Sequence, residues 1–490
     1  MAAVVGVIGA MLRFIGLGHP TTLVFDEVYY ARGAYSLVTL GFEGDWSGED
    51  QAFAEGDYSG LATTDGDYVV HPLVGKLLIG LGIQLFGPTP YGWRFAGAVV
   101  GTLTVILVAL IARHLLRSTL WGTMAGLLLA VDGQHIVMSR TALLDIFLTF
   151  FVVAGFGLLV VDRVYARRRL AAGAAIARLN AGLDPGAILS GWGPRMGVRW
   201  WRLAAMVAFG LAVGVKWSGL YVAAAFLVLS VVWDAADRKR EGFSRWALGA
   251  LVRAVPAGLL SIVAIAGTYL ATWIPWLNSE NSYGRYWAES HPGEGLTWLP
   301  DTLRSLVHYH QQMWNFHQDL DAEHNYATHP LGWIVQWRPT AFHYETVDNA
   351  RCGAAECVSA IHALGHPLIW WAILGALVFA VWRTVRHRDL LAATMTIGVL
   401  ASWVPWLAFT DRPIFTFYTV VMSPFVVLAV VWAATHVARP RGQWSRKGIV
   451  TVVSYTGATL VLAGFFAPIW TGAVISHPYW QAHMWLPSWV

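Results

Sequence analysis

Long apolar stretches separated by short polar connections dominate the pattern of this chain. A helix needs about 20 mostly apolar residues to cross a bilayer. Eleven stretches approach that requirement, at 1–17, 94–112, 119–138, 141–161, 203–217, 218–233, 247–276, 366–382, 390–408, 413–437 and 448–468. The two that meet at Ser218 are short and could form one long helix instead. The pattern predicts an all-α polytopic membrane protein with about eleven transmembrane helices in a single domain, residues 1–490.

Composition supports this class and excludes others. Hydrophobic residues make up 56% of the chain and charged residues 13%, whereas soluble domains average about 25% charged. The 27 tryptophans suit amphipathic rings at two membrane interfaces. We therefore expect contact with membrane lipid and no nucleic-acid partner, despite the net charge of +4.

The basic residues predict the topology. Five short connections hold 21 of the 33 Lys and Arg, and the connection 162–202 alone holds eight. The loops 18–93 and 277–365 carry ten Asp or Glu each. Because basic connections remain in the cytosol, both long loops are expected outside. An odd number of spans in a plasma membrane then leaves the N-terminus cytosolic and the tail 470–490 outside.

The two cysteines, Cys352 and Cys357, both fall in the second long loop. A disulfide is the natural interpretation, because that loop faces an oxidising space and the spacing closes a small ring. Two thiols alone do not make a metal site. The loop's histidines include His317 and His324, but surface or acceptor contacts suit them better than ligation, so no metal is predicted.

Two adjacent carboxylates, Asp26 and Glu27, follow the first span within an aromatic-rich run. In a partly dehydrated cleft, one of them could act as a general base with a raised pKa. A solvated loop start, or acids at a helix N-terminus, explains the same pattern. Spacing alone leaves both interpretations open.

Further ionisable groups lie at the edges of spans, where charge is costly and often functional. His71 and Lys76 precede an apolar stretch to Phe86 that suits an interfacial helix, so Lys76 could meet a lipid phosphate or snorkel. Arg140 and Asp145 flank a tight turn between spans. They could form an ion pair with each other, or Arg140 could bind a phosphate. The pair Lys216-Trp217 raises the same question more weakly.

These motifs, in this order and on one predicted side of the membrane, resemble the protein O-mannosyltransferase family of the C-type glycosyltransferase (GT-C) superfamily. The resemblance rests on Asp26-Glu27, His71-Pro72 with Gly75-Lys76, Gly92-Trp93-Arg94, and Ser139-Arg140 with Leu143-Leu144-Asp145. The second loop, with Asn325 to Trp333, Arg338-Pro339-Thr340 and the cysteine pair, looks like the actinobacterial branch. At about 90 residues it has no room for the β-trefoil domain of fungal and animal members.

The resemblance implies a GT-C fold and transfer of mannose from polyprenyl-phosphate-mannose to Ser or Thr hydroxyls of unfolded secreted proteins, outside the membrane. It makes Asp26 or Glu27 the base and Arg140 the arginine near the donor. It assigns His71 and Lys76 to the donor-phosphate region, beside Asp145. One base and one displacement imply inversion at the anomeric carbon. No cofactor is implied, and the secretion translocon is a further implied partner.

Two other functions fit part of the pattern. Another GT-C enzyme, moving a sugar to a lipid or glycan, would share the outer carboxylate and the nearby cation. A transporter would use buried charges such as Asp132 and Asp145 as its substrate path. Transporters commonly carry paired repeats, and the sequence shows none.

Overall fold

The computed structural model describes residues 1–347 and 352–490. These residues form nineteen α-helices: α1 (Ala2–Phe14), α2 (Glu27–Leu40), α3 (Val74–Phe86), α4 (Pro90–Leu115), α5 (Thr119–Ala130), α6 (Gly133–Ser139), α7 (Asp145–Asn180), α8 (Trp200–Val215), α9 (Gly219–Arg240), α10 (Trp246–Ala271), α11 (Ile274–Asn278), α12 (Trp287–Ser290), α13 (Asp301–Asp319), α14 (Pro330–Trp333), α15 (Pro367–His387), α16 (Leu390–Trp403), α17 (Ser423–Ala438), α18 (Arg446–Thr471) and α19 (His477–Ala482). Short 3₁₀ helices lie at Val404–Ala408, Thr416–Val421, Pro440–Gly442 and Pro487–Trp489.

Each of the eleven apolar stretches contains a helix. Among the described residues, seven helices are long and apolar enough to cross a membrane: α4, α7, α9, α10, α15, α16 with its extension to Ala408, and α18. The shorter apolar helices α1, α5, α8 and α17 occupy the other four stretches. The mostly helical, multi-span architecture is therefore confirmed, while the count of eleven crossings stays a prediction.

Local sequence explains where several helices begin and break. Lys216 is extended, with φ −148° and ψ 141°, so α8 ends there and α9 starts three residues later. The two short stretches at Ser218 are thus separate helices. Asp132 accepts a hydrogen bond from the amide of His135 at 3.2 Å and so caps α6, which satisfies one of the free amides of a helix N-terminus.

Burial separates central from peripheral helices. Residues 423–432 of α17 are all buried, so this helix lies at the centre of the bundle. In contrast, α10 exposes Leu251, Val255, Leu259 and Ile262. A long apolar helix with an exposed apolar face suits contact with lipid chains. The bundle therefore turns α10 to the membrane and keeps α17 away from it.

The two long loops contain small sheets that the all-α prediction missed. In the first loop, β1 (Gly44–Trp46) pairs antiparallel with β2 (Leu61–Gly66). In the second, β3 (Thr340–Val347) pairs antiparallel with β4 (Cys357–Ala363), and β5 (Val474–Ser476) from the C-terminal tail pairs antiparallel with the other edge of β4. β1 and β5 have three residues each, too few to carry a periodic signal. Cys352 is bonded to Cys357 at the start of β4.

The basic connection 162–202 begins as a continuation of α7, which runs to Asn180. Several of its arginines are ion-paired. Arg199 contacts Asp162 and, at 2.6 Å, Asp234. Arg163 lies 3.1 Å from Asp237. Arginines at this end of the bundle therefore also join α7, α8 and α9 to one another.

Candidate active site

A strained turn presents the two adjacent carboxylates. Phe25 has a left-handed φ of 49°, which costs a non-glycine residue on the order of 1 kcal/mol. Its ring stacks on Phe342 at 4.7 Å and meets Phe417 edge-on at 5.5 Å. These contacts hold the turn, so Asp26 lies at the N-cap of α2 and Glu27 is its first residue. The helix-N-terminus interpretation of this pair therefore describes its local structure.

Glu27 is fully engaged in holding the loop. Its carboxylate accepts hydrogen bonds from Arg94 Nε at 2.8 Å and Nη2 at 2.7 Å. It also accepts from the amides of Val24, at 3.0 Å, and Ala142, at 2.9 Å. Glu27 is 0% exposed and Arg94 is 1% exposed. Each carboxylate oxygen thus accepts two hydrogen bonds, so neither has a free lone pair with which to take a proton from a substrate.

Arg94 completes the anchor from α4. Besides Glu27, it donates to the carbonyl oxygens of Pro20 at 2.7 Å and Thr22 at 3.0 Å. One guanidinium therefore ties the segment after α1 to the start of α2. Bidentate pairing of this kind fixes orientation as well as distance. The motif Gly92-Trp93-Arg94 is visible in the sequence, but the contact of Arg94 with Glu27 is not, because 67 residues separate them.

Asp26 has the opposite environment. Its side chain is half-buried, and within the described residues it makes no cap hydrogen bond to α2. Desolvation by the surrounding packing raises the pKa of Asp26 to about 6; the positive charge of Lys216 opposes this rise and the negative charge of Asp145 adds to it. Asp26 is therefore a carboxylate with free lone pairs and a pKa suited to taking a proton near neutral pH.

Lys216 and Asp145 form a buried ion pair. Lys216 Nζ lies 2.8 Å from Asp145 Oδ2 and 5.2 Å from the ring centre of Tyr418. The pair joins the end of α8 to the start of α7. The Arg140–Asp145 pairing that the sequence left open is thus not formed, because Asp145 has Lys216 as its partner.

A cleft opens beside this pair. Its wall includes Asp145, Lys216, His71, His317 and Arg412, together with aromatic side chains from Trp217, Tyr221, Trp314, Trp406, Phe409 and Tyr418. Two cations and a wall of rings suit an anionic sugar-bearing ligand. Arg412 was missed by sequence analysis, although its position in the short turn between two apolar stretches was a usable signal.

The histidines in the cleft are neutral donors or acceptors. The Arg412 guanidinium contacts His317 Nδ1 at 3.1 Å, and the rings of His71 and His317 lie 5.3 Å apart. Burial and the cations nearby hold the pKa of His71 well below its ordinary value, and burial together with Arg412 lowers the pKa of His317 to about 4. Across the described ranges, no group of three or more His, Cys, Asp or Glu side chains is arranged to hold a metal ion.

Two residues assigned to the donor region by resemblance, Arg140 and Lys76, are not among the side chains of the cleft wall. Arg140 donates to the carbonyl oxygens of Ile15 at 2.7 Å and Gly16 at 2.9 Å, just after α1. Lys76 is 2% exposed and forms an ion pair with Glu43. It also donates to the carbonyl of His71 at 3.2 Å. Both side chains hold the framework around the cleft, and phosphate binding by either stays a prediction.

Two family descriptions match the chain. Residues 89–177 match dolichyl-phosphate-mannose-protein mannosyltransferase. Residues 302–489 match the C-terminal four-span region of protein-O-mannosyltransferase. The first match contains Arg94, Arg140 and Asp145, and the second contains His317 and Arg412.

Curated relatives cover the whole chain. Polyprenol-phosphate-mannose–protein mannosyltransferase of Mycolicibacterium smegmatis is 38% identical over 501 residues, which span 100% of this chain and 92% of that protein. The protein of the same description from Mycobacterium tuberculosis is 37% identical over 502 residues, or 100% and 91%. The Corynebacterium glutamicum protein is 33% identical over 503 residues, or 99% and 92%.

Solved structures share the fold. The Saccharomyces cerevisiae Pmt1-Pmt2 complex bound to the sugar donor matches with a TM-score of 0.69 at 14% identity, covering 100% of this chain and 92% of that chain. ArnT from Cupriavidus metallidurans, bound to undecaprenyl phosphate, matches with a TM-score of 0.52 at 16% identity, covering 95% and 64%. At these identities the likeness concerns the arrangement of helices.

Proposed function

Because the chain belongs to the protein O-mannosyltransferase family, we propose that it transfers mannose from polyprenyl-phosphate-mannose to Ser or Thr hydroxyls of proteins, with Asp26 as the general base. The chain has the GT-C fold. The observation that carries the base assignment is the contrast between two neighbours: Glu27 is saturated with donors, and Asp26 is not.

A base is needed because a Ser or Thr hydroxyl is a poor nucleophile. As the bond from mannose C1 to the phosphate oxygen breaks and the bond from C1 to the acceptor oxygen forms, Asp26 takes the hydroxyl proton. A pKa of about 6 keeps most of the carboxylate ionised at pH 7 and still lets it hold a proton. General-base catalysis of this kind typically contributes about 10² to 10⁴-fold.

The leaving phosphate needs cations rather than an acid. Lys216 and Arg412 in the cleft wall supply them, and a fixed positive charge stabilises the negative charge that develops on the leaving oxygen. Asp145 holds the Lys216 ammonium in place. The resemblance adds Arg140, His71 and Lys76 to this region; their contacts support indirect roles, as residues that position the loop and the cleft wall.

The carboxylates also support an inverting mechanism. A retaining route needs a second carboxylate as nucleophile. Glu27 is bound to Arg94 and Asp145 to Lys216, so each already has a strong partner. One displacement assisted by Asp26 remains, which inverts the anomeric carbon.

The surroundings of the cleft suit its two substrates. The polyprenyl tail of the donor is accommodated by the bilayer next to exposed apolar helices, and the acceptor is an unfolded protein that reaches the long loops. The basic connections support a plasma-membrane orientation with these loops outside and the N-terminus in the cytosol. The family resemblance suggests that chains are modified as they leave the secretion translocon, which would require this orientation.

A second function has one observation in its favour. The undecaprenyl phosphate-alpha-4-amino-4-deoxy-L-arabinose arabinosyl transferase of Pseudomonas aeruginosa is 32% identical over 130 residues, 25% of this chain. A GT-C enzyme that glycosylates a lipid or glycan could use the same base and cations. The full-length relatives favour a protein acceptor.

Mannose transfer to a Ser/Thr-rich peptide in membranes tests the proposal. Wild type should label the peptide, and Asp26→Asn should lower turnover at least 100-fold. Glu49→Gln is the matched control, since Glu49 is an exposed carboxylate of the same loop, and it should keep wild-type turnover. Donor consumption without labelled peptide would favour the lipid or glycan acceptor. More than a tenth of wild-type turnover in Asp26→Asn would contradict the base assignment.

A further inference from the structure

A second cavity lies far from the cleft and is rich in arginine. Its volume is about 880 Å³, and it opens between the ends of α4, α7 and α9. Its wall includes Arg113, Arg117, Arg167, Arg168 and Arg240. Mannosyl transfer at Asp26 makes no use of it.

The two sites lie at opposite ends of the bundle. Arg94, beside the carboxylate pair, and Arg113, in the second cavity, are both in α4 and 19 residues apart. At 1.5 Å per residue this separation is about 28 Å. Asp145 and Arg167 in α7 give about 33 Å by the same rise. The arginine cavity therefore opens at the membrane face opposite the active site.

Most of the positive charge in this cavity is uncompensated. Arg167 Nε lies 3.5 Å from Asp237 Oδ1. Within the residues that the structure describes, the other four arginines form no ion pair, although Glu241 is also in the wall. Other arginines of the same region do have carboxylate partners, as Arg199 does. A concave surface with four unpaired guanidinium groups favours a bound anion.

The remaining wall suits a lipid. Ser118, at the N-cap of α5, makes no side-chain cap hydrogen bond, so the first amides of that 12-residue helix add to the attraction for a phosphate. Leu110 and Val164 line the cavity beside the arginines, and Leu110 is 42% exposed. A phosphate group can thus meet the cations while an acyl chain lies along the apolar helix surface.

We propose that this cavity binds the phosphate of an anionic phospholipid headgroup from the leaflet opposite the active site. Basic pockets between transmembrane helices recognise such headgroups in general. The chemistry shared by all its ligands is a phosphate group, so a soluble phosphate compound is the competing source. The proposal concerns a site separate from Asp26 and stands independently of the mannosyl transfer.

Native mass spectrometry of the full-length chain in detergent tests this proposal with phosphatidylglycerol, phosphatidylcholine and glycerol 3-phosphate as probes. Wild type should retain one phosphatidylglycerol at least tenfold more tightly than phosphatidylcholine. The triple variant Arg113→Gln, Arg168→Gln, Arg240→Gln should lose that preference. The triple variant with Lys at the same three positions keeps the charge and should retain part of it.

A matched control removes the same charge elsewhere on that face. Arg386→Gln, Arg446→Gln, Lys447→Gln changes three exposed residues of other connections and should keep the tenfold preference. An equal loss in both Gln triple variants means general surface attraction and overturns the site. If glycerol 3-phosphate binds the cavity as tightly as phosphatidylglycerol does, the lipid assignment is overturned. If the cavity variants unfold at the same temperature as the wild type, any loss of lipid binding is local and does not reflect misfolding.

Discussion

Replacing Glu27 by Gln tests whether this carboxylate has a structural role that differs from the proposed catalytic role of Asp26. Glu27 accepts four hydrogen bonds at 2.7–3.0 Å in a fully buried site, and two of them come from Arg94. Glutamine keeps one acceptor oxygen and turns an NH₂ group toward donors. Removing one partner of a buried ion pair costs about 3–5 kcal/mol, because the other charge stays buried. We expect Glu27→Gln to lose at least 3 kcal/mol of stability and most of its turnover.

Asp26→Asn should behave in the opposite way. The pKa of Asp26 rises from 3.8 unfolded to about 6 folded, so the folded state holds its proton more tightly. Stability therefore falls as pH rises from about 4 to 6, and the ionised side chain destabilises the fold at pH 7. The shift of about 2 units corresponds to at most roughly 3 kcal/mol. Asparagine removes that penalty, so the variant should be inactive yet at least as stable as wild type.

Thermal unfolding of the purified protein in detergent, together with initial rates of peptide labelling, measures both quantities. The double variant Glu27→Gln, Arg94→Met removes both buried charges and should regain part of the lost stability. Its turnover should stay low, because the segment before α2 has lost its anchor. If Glu27→Gln unfolds within about 0.5 kcal/mol of wild type but makes no product, Glu27 takes part in the chemistry and the assignment to Asp26 is wrong.

Three further outcomes follow from the same contacts. As the proposed base, Asp26 must be ionised to act, and its pKa is about 6. The value of kcat/KM should therefore fall about tenfold per pH unit below about pH 6 and level off above it. A flat profile from pH 5 to 8 would contradict this. Lys216→Met should lower kcat/KM about 100-fold or more, because it removes a cation from the leaving phosphate. Asp145→Asn keeps that cation and should lower kcat/KM less. Equal losses in the two variants would mean that the intact ion pair, and not the cation, is what matters. Replacing both Cys352 and Cys357 by Ser opens a ring of six residues, which should cost about 2 kcal/mol of stability by the loop-entropy relation. Labelling rates should stay within twofold of wild type. A larger loss of rate would mean that the paired strands β3 and β4 contribute to the active site.

The helices could be predicted because their signal is local. A run such as 94–112 is apolar over most of its length, and the extended residue Lys216 divides α8 from α9 where two short stretches meet. The strands could not be predicted in the same way. β1 has three residues and β2 is polar, and their pairing depends on contacts within a folded loop.

The candidate site shows the same division. The sequence identifies Asp26, Glu27, Asp145 and Lys216 as candidates, because they are charged residues at the ends of apolar runs. Their partners were not, because Glu27 meets Arg94 across 67 residues and Asp145 meets Lys216 across 71. Only the packing of α4, α7 and α8 makes one carboxylate a support and leaves its neighbour free.

The proposed base and the cleft wall come from residues far apart in the chain, so the site is completed late in biosynthesis. The proposed base is residue 26, whereas Arg412 and Tyr418 lie in the cleft wall. At about 5–20 residues per second, a ribosome makes Asp26 roughly 20–80 seconds before Tyr418. A nascent chain therefore enters the bilayer without a working site, and the lipid-linked sugar can react only after most of the helices have been inserted.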